Sequence, residues 1–305
     1  MNQITDFKNR RVHMIGIGGS SMSGLAEMLL REGYTVSGSD NAASHAVERL
    51  QNMGIDVHIG HRAENVHGAG LIVFSAAISP DNPERLEGKR LGIPEMERST
   101  LLGEMMLGHR HVLCVCGAHG KTTTSSMLAE ALLECGLDPT VHIGGRLDAL
   151  GGGSRVGGKD FFVAEACEFH GSFWEMHPTL AVVLNIDADH LDFYGDMAHI
   201  EAGFFRFLQL LPPDGVALGW GEDARIMGLF DRLDRRRVTF GMTDKCDYFP
   251  CNLSYSDTGC PRFDVALNGR ILAHVAMQVA GSFNVLNALA AFAAAHLSGA
   301  DAQDI

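Results

Sequence analysis

Positive charge is scarce in this chain. It carries 24 Lys and Arg against 37 Asp and Glu, a formal net charge of −13, and so lacks the basic face that a general nucleic-acid binder needs to displace counterions. Arg235, Arg236 and Arg237 form the one dense basic run, which reads as a solvated surface. Long apolar runs are missing as well. None approaches the ~20 residues that cross a bilayer, and no leader of the secretory type opens the sequence. There is no internal repeat and no low-complexity tract. Cysteines number seven, an odd count without a disulfide framework, which points to a reducing cytosol. Cys246, Cys251 and Cys260 lie near one another, but without a C-x-x-C pair or an adjacent histidine they do not complete a zinc set.

What is abundant is glycine, 36 residues in a chain of 305. That length supports about two domains with adequate cores, and the glycines cluster where tight strand-to-helix turns are needed. VHMIGI (12–17) is an apolar run, GGSSMSG follows, and Met22, Leu25, Ala26 and Leu29 then recur at helical spacing up to Gly33. YTVSGSD (34–40) reads as a second strand closing on Asp40, and DVHIGH and LIVFSAAI supply two more strand ends. Strand, glycine turn, helix and strand with a terminal acid describe a Rossmann-like unit. Its fingerprint departs from G-x-G-x-x-G, because Ser21 occupies the third glycine position. Gly18 and Gly19 would let a diphosphate approach the backbone, with Ser20, Ser21, Ser23 and the helix N–H groups as donors. Asp40 stands where a ribose or base contact is expected. Both a nicotinamide dinucleotide and a uridine diphosphate sugar fit these features.

A second unit begins near residue 108. HVLCVC (111–116) reads as a buried strand feeding GAHGKTTT and a helix that ends at Gly136 and Pro139. The spacing is shorter than the standard phosphate loop, yet the strand–glycine turn–helix context is the right one. Amides from Gly117 to Thr122 can ring a β-phosphate, Lys121 can reach the β- and γ-phosphates, and Thr122 can ligate magnesium. FFVAEA (161–166) brings Glu165 to a strand end with Glu168 just beyond, and LAVVLNIDADH (180–190) leads to Asp187, Asp189 and His190. In a parallel sheet these ends meet at one edge, where Glu165 and His190 are plausible ligands for Mg2+, with Mn2+ as the other option. RFDVALNGRILAHVAM (262–277) alternates about Asn268–Gly269, the pattern of an antiparallel hairpin. The apolar helix at 281–299 carries Asn284 and Asn287 three apart. Two amides on a buried face need partners, and an adenine edge would be one.

Taken together, GIGGSSMSG (16–24), GAHGKTT (117–123), AEACE (164–168), NIDADH (185–190) and GSFNVLNA (281–288) resemble, in order, the motifs of the Mur ligase family of cell-wall enzymes. The resemblance implies an α/β chain with a Rossmann-like domain at 1–107 that binds a UDP sugar and a P-loop-type parallel-sheet ATPase domain at 108–305. It implies an ATP-dependent ligase of peptidoglycan precursor synthesis, acting in the cytoplasm without nucleic acid or membrane. In the branch with this M-S-G turn, L-alanine joins the carboxylate of UDP-N-acetylmuramate through an acyl phosphate; a sister branch attaches a recycled peptide instead. The family roles place the phosphate loop, Gly117, Ala118, His119, Gly120, Lys121, Thr122 and Thr123, on ATP, with Asn284 and Asn287 at its far end. Thr122, Glu165 and His190 hold magnesium, and Lys121, Glu165 and His190 form the catalytic set. Gly18, Gly19, Ser20, Ser21, Met22, Ser23, Gly24, Asp40, His61, Ser75 and Ala76 hold the sugar nucleotide. Ala118 stands where the family usually has threonine and Phe283 where histidine is common, and no lysine lies between His190 and Arg206 to serve as the carbamylated lysine of sister ligases. The chain stops at Ile305, ahead of the family's third domain, so these residues are expected to bind rather than ligate. An oxidoreductase would leave the phosphate loop unused, and a non-catalytic sugar-nucleotide sensor is the other class in view.

Overall fold

Each apolar, β-branched run that precedes a glycine turn becomes a buried strand in the computed structural model, which describes residues 3–147 and 152–305. The chain divides into two units: Met1–Gly108 with Gly144–Val156, and His109–Ile143 with Gly157–Ile305.

The first unit runs β1 (Arg11–Ile15), α1 (Ser20–Arg31), β2 (Thr35–Asp40), α2 (His45–Asn52), β3 (Asp56–Ile59), β4 (Ala69–Phe74), α3 (Pro83–Leu91), β5 (Glu95–Glu97) and α4 (Arg98–Met106). The five strands lie in the order β3-β2-β1-β4-β5, every neighbouring pair parallel. Val12, Met14 and Ile15 of β1 are wholly buried at the centre, with Leu71, Ile72 and Val73 beside them. Burying each such side chain contributes about 1.5–3 kcal/mol. Helices start where the sequence supplies caps: Ser44 Oγ accepts from Val47 N at the head of α2, and Asn82 Oδ1 accepts from Glu84 N before Pro83-led α3.

The second unit continues with β6 (His111–Cys116), α5 (Lys121–Glu134), β7 (Thr140–Leu147), β8 (Gly152–Arg155), β9 (Phe161–Glu165), β10 (Leu180–Val183), α6 (Leu191–Tyr194), α7 (Met197–Leu208), β11 (Val216–Trp220), α8 (Ala224–Phe230), β12 (Arg236–Phe240), β13 (Tyr248–Tyr255), β14 (Pro261–Leu267), β15 (Arg270–Ala276) and α9 (Phe283–Leu297). Among the described residues its strands follow the order β15-β14-β13-β12-β11-β10-β6-β9-β7; β8 and the end of β7 belong to the first unit. The run from β13 through β12, β11, β10, β6 and β9 to β7 is parallel, and β13-β14-β15 is antiparallel. Asn268 and Gly269 both take positive φ, 49° and 82°, the geometry of a two-residue hairpin turn. β6 sits between β9 and β10, so the loops leaving all three meet at one carboxyl edge. Over the sheet, α9 packs on α5; Thr124 Oγ1 donates to Asn287 Oδ1 between them, and Ala290, Ala291, Ala294 and Ala295 of α9 are buried. Among the described residues, no helix is long and apolar enough to cross a membrane.

Candidate functional site

Two glycines give the loop after β6 its shape. Gly117 has φ +141° and Gly120 φ +86°, conformations that strain an L side chain. A Cβ on Gly117 would stand 3.1 Å from the backbone of Asn185, and one on Gly120 2.7 Å from Asn287 Oδ1. Ala118 and His119 lie between them. Asn185, just past β10, clasps this stretch: His119 N donates to its Oδ1 at 2.8 Å, and its Nδ2 donates to the His119 carbonyl at 2.9 Å. Gly120 caps α5 without a side-chain acceptor, leaving the first-turn N–H groups of Lys121, Thr122 and Thr123 without helical partners. Such a row of donors at a helix N-terminus suits phosphate oxygens. Asn185→Ala removes both bonds of the clasp, so it should lower stability by about 1–2 kcal/mol and loosen the loop. Urea unfolding and a nucleotide titration check this; unchanged values in both would mean that the loop holds itself.

Charge is concentrated directly beneath the loop. Lys121 Nζ donates to the Gly117 carbonyl at 2.5 Å and to both Glu168 carboxylate oxygens at 3.1 and 3.0 Å. The two side chains are only 17% and 3% exposed, so the pair is shielded from solvent screening. Tyr194 OH donates to the Glu168 carbonyl at 2.6 Å; burial pushes this phenol's pKa up, which keeps it a donor. Glu165 ends β9 in register with Val115, next to the strand that feeds the loop, and Thr122 lies in the first turn of α5. His190 opens α6 in the left-handed region, with φ 54°. One ligand-type atom from each of Glu168, Asp189 and His190 lies within 4.8 Å of the others. The geometry therefore gathers His190 with Glu168 and Asp189, two carboxylates given no ligand role from sequence although both flank residues that were.

Beyond Gly120 a cavity of about 150 Å³ opens, lined among others by Trp220, Phe240, Phe283, Asn185 and Asn287. Phe283 is 69% exposed, so one aromatic ring stands free to meet a flat ligand. The two amides of α9 form a chain: Thr124 Oγ1 donates to Asn287 Oδ1 at 3.3 Å, Asn287 Nδ2 to Asn284 Oδ1 at 3.1 Å, and Asn284 Nδ2 to the Ala280 carbonyl at 2.8 Å. Asn284 is buried behind Asn287. Of the two, Asn287 faces the cavity.

In the first unit the sheet's carboxyl edge carries a second cluster. Gly18 N donates to Asp40 Oδ2 at 2.9 Å, and a Cβ on Gly18 would stand 2.9 Å from that oxygen and from Val47. Gly18 is thus required by packing, while Gly19 is exposed and has only Gly16 O at 3.4 Å as its nearest neighbour. Asp40 also accepts from Ala42 N at 3.3 Å, so its carboxylate braces the turn. Ser20 and Gly19 face outward; Met22, Ser23 and Gly24 are buried in α1 and support the turn from within. Ser21 Oγ accepts from Arg98 Nη1 at 3.1 Å. That guanidinium supplies local positive charge in an acidic chain, and its distance from Ser21 in sequence hid it. Ser75 and Ala76 follow β4, with Ile78 Cδ1 packed over Gly16, and His61 follows β3 by two residues.

Comparison with known proteins places the chain in a family. Residues 11–110 match the Mur ligase family, catalytic domain, and residues 115–295 the Mur ligase middle domain. A UDP-N-acetylmuramate–L-alanine ligase of Caldanaerobacter subterraneus is 44% identical over 97% of this chain and 64% of its own; the chain thus spans a little under two thirds of that relative. The crystal structure of UDP-N-acetylmuramate:L-alanyl-γ-D-glutamyl-meso-diaminopimelate ligase from Neisseria meningitides superposes with a TM-score of 0.87 at 30% identity, covering 97% of this chain and 95% of that one. UDP-N-acetylmuramate–alanine ligase from Thermotoga maritima gives 0.82 at 28% identity over 96% of this chain and 66% of that one. With family matches over residues 11–110 and 115–295, this chain belongs to the Mur ligase family.

Proposed function

We propose that this chain supplies the sugar-nucleotide and ATP sites of a ligase that joins L-alanine to UDP-N-acetylmuramate. One observation carries the reading: a glycine loop clasped by Asn185 sits over a shielded Lys121–Glu168 pair in a chain whose curated relative at 44% identity bears that activity. Lys121 and the amides from Gly117 to Thr123 hold the phosphates. Asn287, Trp220 and Phe283 surround the space for the base. The first unit holds the uridine diphosphate through Gly19, Ser20 and Ser21, with Arg98 and His61 alongside. Magnesium fits the oxygen-rich donors Thr122 and Glu165 together with His190, and the carboxylates of Glu168 and Asp189 beside His190 match a hard cation; when bound, it neutralises phosphate charge. In the proposed reaction the lactyl carboxylate oxygen attacks the γ-phosphorus, ADP leaves, the alanine nitrogen attacks the acyl carbon, and phosphate departs. A carboxylate meeting a triphosphate is repelled, and Lys121 offsets part of that repulsion.

The recycled-peptide reaction is the second reading, favoured by the 95% coverage of the Neisseria meningitides chain; phosphate release with L-alanine against tripeptide as acceptor separates the two. The test of the binding sites is a thermal-shift panel, since a ligand of the native state stabilises it by mass action. UDP-N-acetylmuramate and Mg-ATP are expected to raise the melting temperature while NAD leaves it unchanged. Stabilisation by NAD without a response to Mg-ATP would overturn the assignment.

A further inference from the structure

A buried carboxylate lies directly under the first unit's edge. Glu84, in the first turn of α3, is 0% exposed, an expensive position for a charge unless it is bonded on several sides. Its Oε2 accepts from Ser39 Oγ at 2.6 Å, and its Oε1 accepts from Asn65 Nδ2 and, at 3.4 Å, from Arg62 N. His61 Nδ1 is 3.0 Å from Ser39 Oγ and 3.4 Å from Glu84 Oε2. On the inner side His13, also 0% exposed, bonds Ser37 Oγ through Nδ1 at 2.9 Å and brings Nε2 to 3.7 Å from Glu84.

These contacts fix the direction of the protons around Ser39. Burial alone would push the Glu84 carboxyl up, but the nearby His13 imidazole and the bonds from Ser39 and Asn65 outweigh it and bring the group to about 2. At 3.7 Å His13 contributes as a nearby imidazole, and Ser39 and Asn65 carry the bonds. An ionised carboxylate only accepts, so the single hydroxyl proton of Ser39 goes to Glu84. Ser39 Oγ then has only lone pairs for His61, and the proton between them belongs to His61 Nδ1. In the neutral ring the other nitrogen, Nε2, is an acceptor. His61 is 12% exposed, and its Nε2 is not among the buried polar atoms left without a partner, so this nitrogen is the ring's open end. His61 lies two residues beyond β3, beside Asp40, which pairs with Ile59, and therefore on the edge that carries the Gly18–Ser21 turn.

We propose that Glu84 is a positioning residue for ligand recognition: through Ser39 it holds His61 in the Nδ1–H form, so that Nε2 accepts a hydrogen bond from a nucleobase N–H, such as the imide of uracil. The ligand half of this inference rests on the first unit being a sugar-nucleotide site; the relay itself does not.

The test is long-range 1H–15N NMR of the histidine rings, with His61 assigned by the His61→Asn variant. In the unmodified chain His61 should be neutral at Nε2 and protonated at Nδ1 near pH 8, and adding uridine diphosphate should shift Nε2 without protonating it. Glu84→Gln should release the tautomer and weaken uridine diphosphate binding about tenfold, the value of one hydrogen bond, and a purely packing role would leave the tautomer unmoved. An Nε2–H form in the unmodified chain overturns the proposal even if the variant does not fold. So does an Nδ1–H form that persists in Glu84→Gln, or an Nε2 signal unmoved by saturating ligand. If the tautomer is as expected and no uridine nucleotide binds, the functional reading falls while the Glu84–Ser39–His61 relay stands.

Discussion

Lys121→Met should cost the fold about 3 kcal/mol in addition to abolishing nucleotide binding. The loss of binding follows from removing the cation of Lys121, which sits against the loop at the Gly117 carbonyl. The loss of stability follows from what remains. Glu168 is 3% exposed and its carboxylate takes both of its short contacts from Lys121 Nζ, so removing the lysine leaves a buried anion unpaired, a change that costs about 3–5 kcal/mol when a pair is fully enclosed. The lysine's own 17% exposure puts the expectation at the lower end of that range. A double-mutant cycle separates the two effects. Lys121→Met with Glu168→Gln should recover most of the stability, because the remaining amide needs no counter-charge, yet should not recover Mg-ATP binding. Urea midpoints and calorimetric titration give both readouts. If Lys121→Met unfolds at the parent's midpoint, Glu168 has enough other partners, and the ion pair is not what stabilises the closed loop.

The division between what was legible in the sequence and what was not follows chain distance. β1, β6, β9 and β10 were readable because each is an apolar run that ends in a glycine turn or a charged residue, a local pattern. The Asn268–Gly269 hairpin was readable for the same reason, since both residues that adopt positive φ are the types that tolerate it. β13 was missed. Tyr248–Tyr255 contains Pro250 and, at Asn252, a positive φ of 53° where its register with β14 shifts, so no clean alternation survives. At the sites, the phosphate loop was local and legible. The groups that complete it were not: Asn185 acts on His119 from 66 residues away, Arg98 reaches Ser21 across 77, and Glu84 reaches Ser39 across 45. Nothing in the sequence near Glu84, an ordinary acid in the first turn of a helix, distinguishes it from a solvated charge. Only the fold shows that Ser39, Asn65, His61, His13 and the Arg62 backbone amide converge on it. Similarly, Asn284 and Asn287 were seen to need partners, and the partners turned out to be one another, Thr124 and a carbonyl.

The same buried carboxylate governs the second large effect, a loss of stability in acid that Glu84→Gln should remove. Glu84 is held at about 2 in the folded chain against an ordinary value of 4.5. A folded-state pKa below the unfolded one means that the unfolded chain binds the proton more tightly, so stability rises with pH across the interval. The contribution is fully present above the unfolded value, begins to fade below about pH 5, and is gone once the pH has passed through about 2. Each unit of difference is worth about 1.4 kcal/mol, which sets the contribution at roughly 3 kcal/mol. Glu84→Gln keeps the shape and loses the charge, so it should be less stable than the parent by a constant amount between pH 7 and pH 5. Below that the gap should close steadily, because the unfolded parent takes up a proton that the folded carboxylate, held at about 2, still excludes, whereas the amide has no proton to gain. Urea midpoints for parent and variant at pH 7, 5, 4 and 3 give the curve. Other carboxylates titrate in the same range, but they are common to both proteins and cancel in the difference. A gap that stays constant from pH 7 to pH 3 would show that Glu84 titrates at its ordinary value or not at all in this interval, and that the bonds from Ser39 and Asn65 do not stabilise its charge.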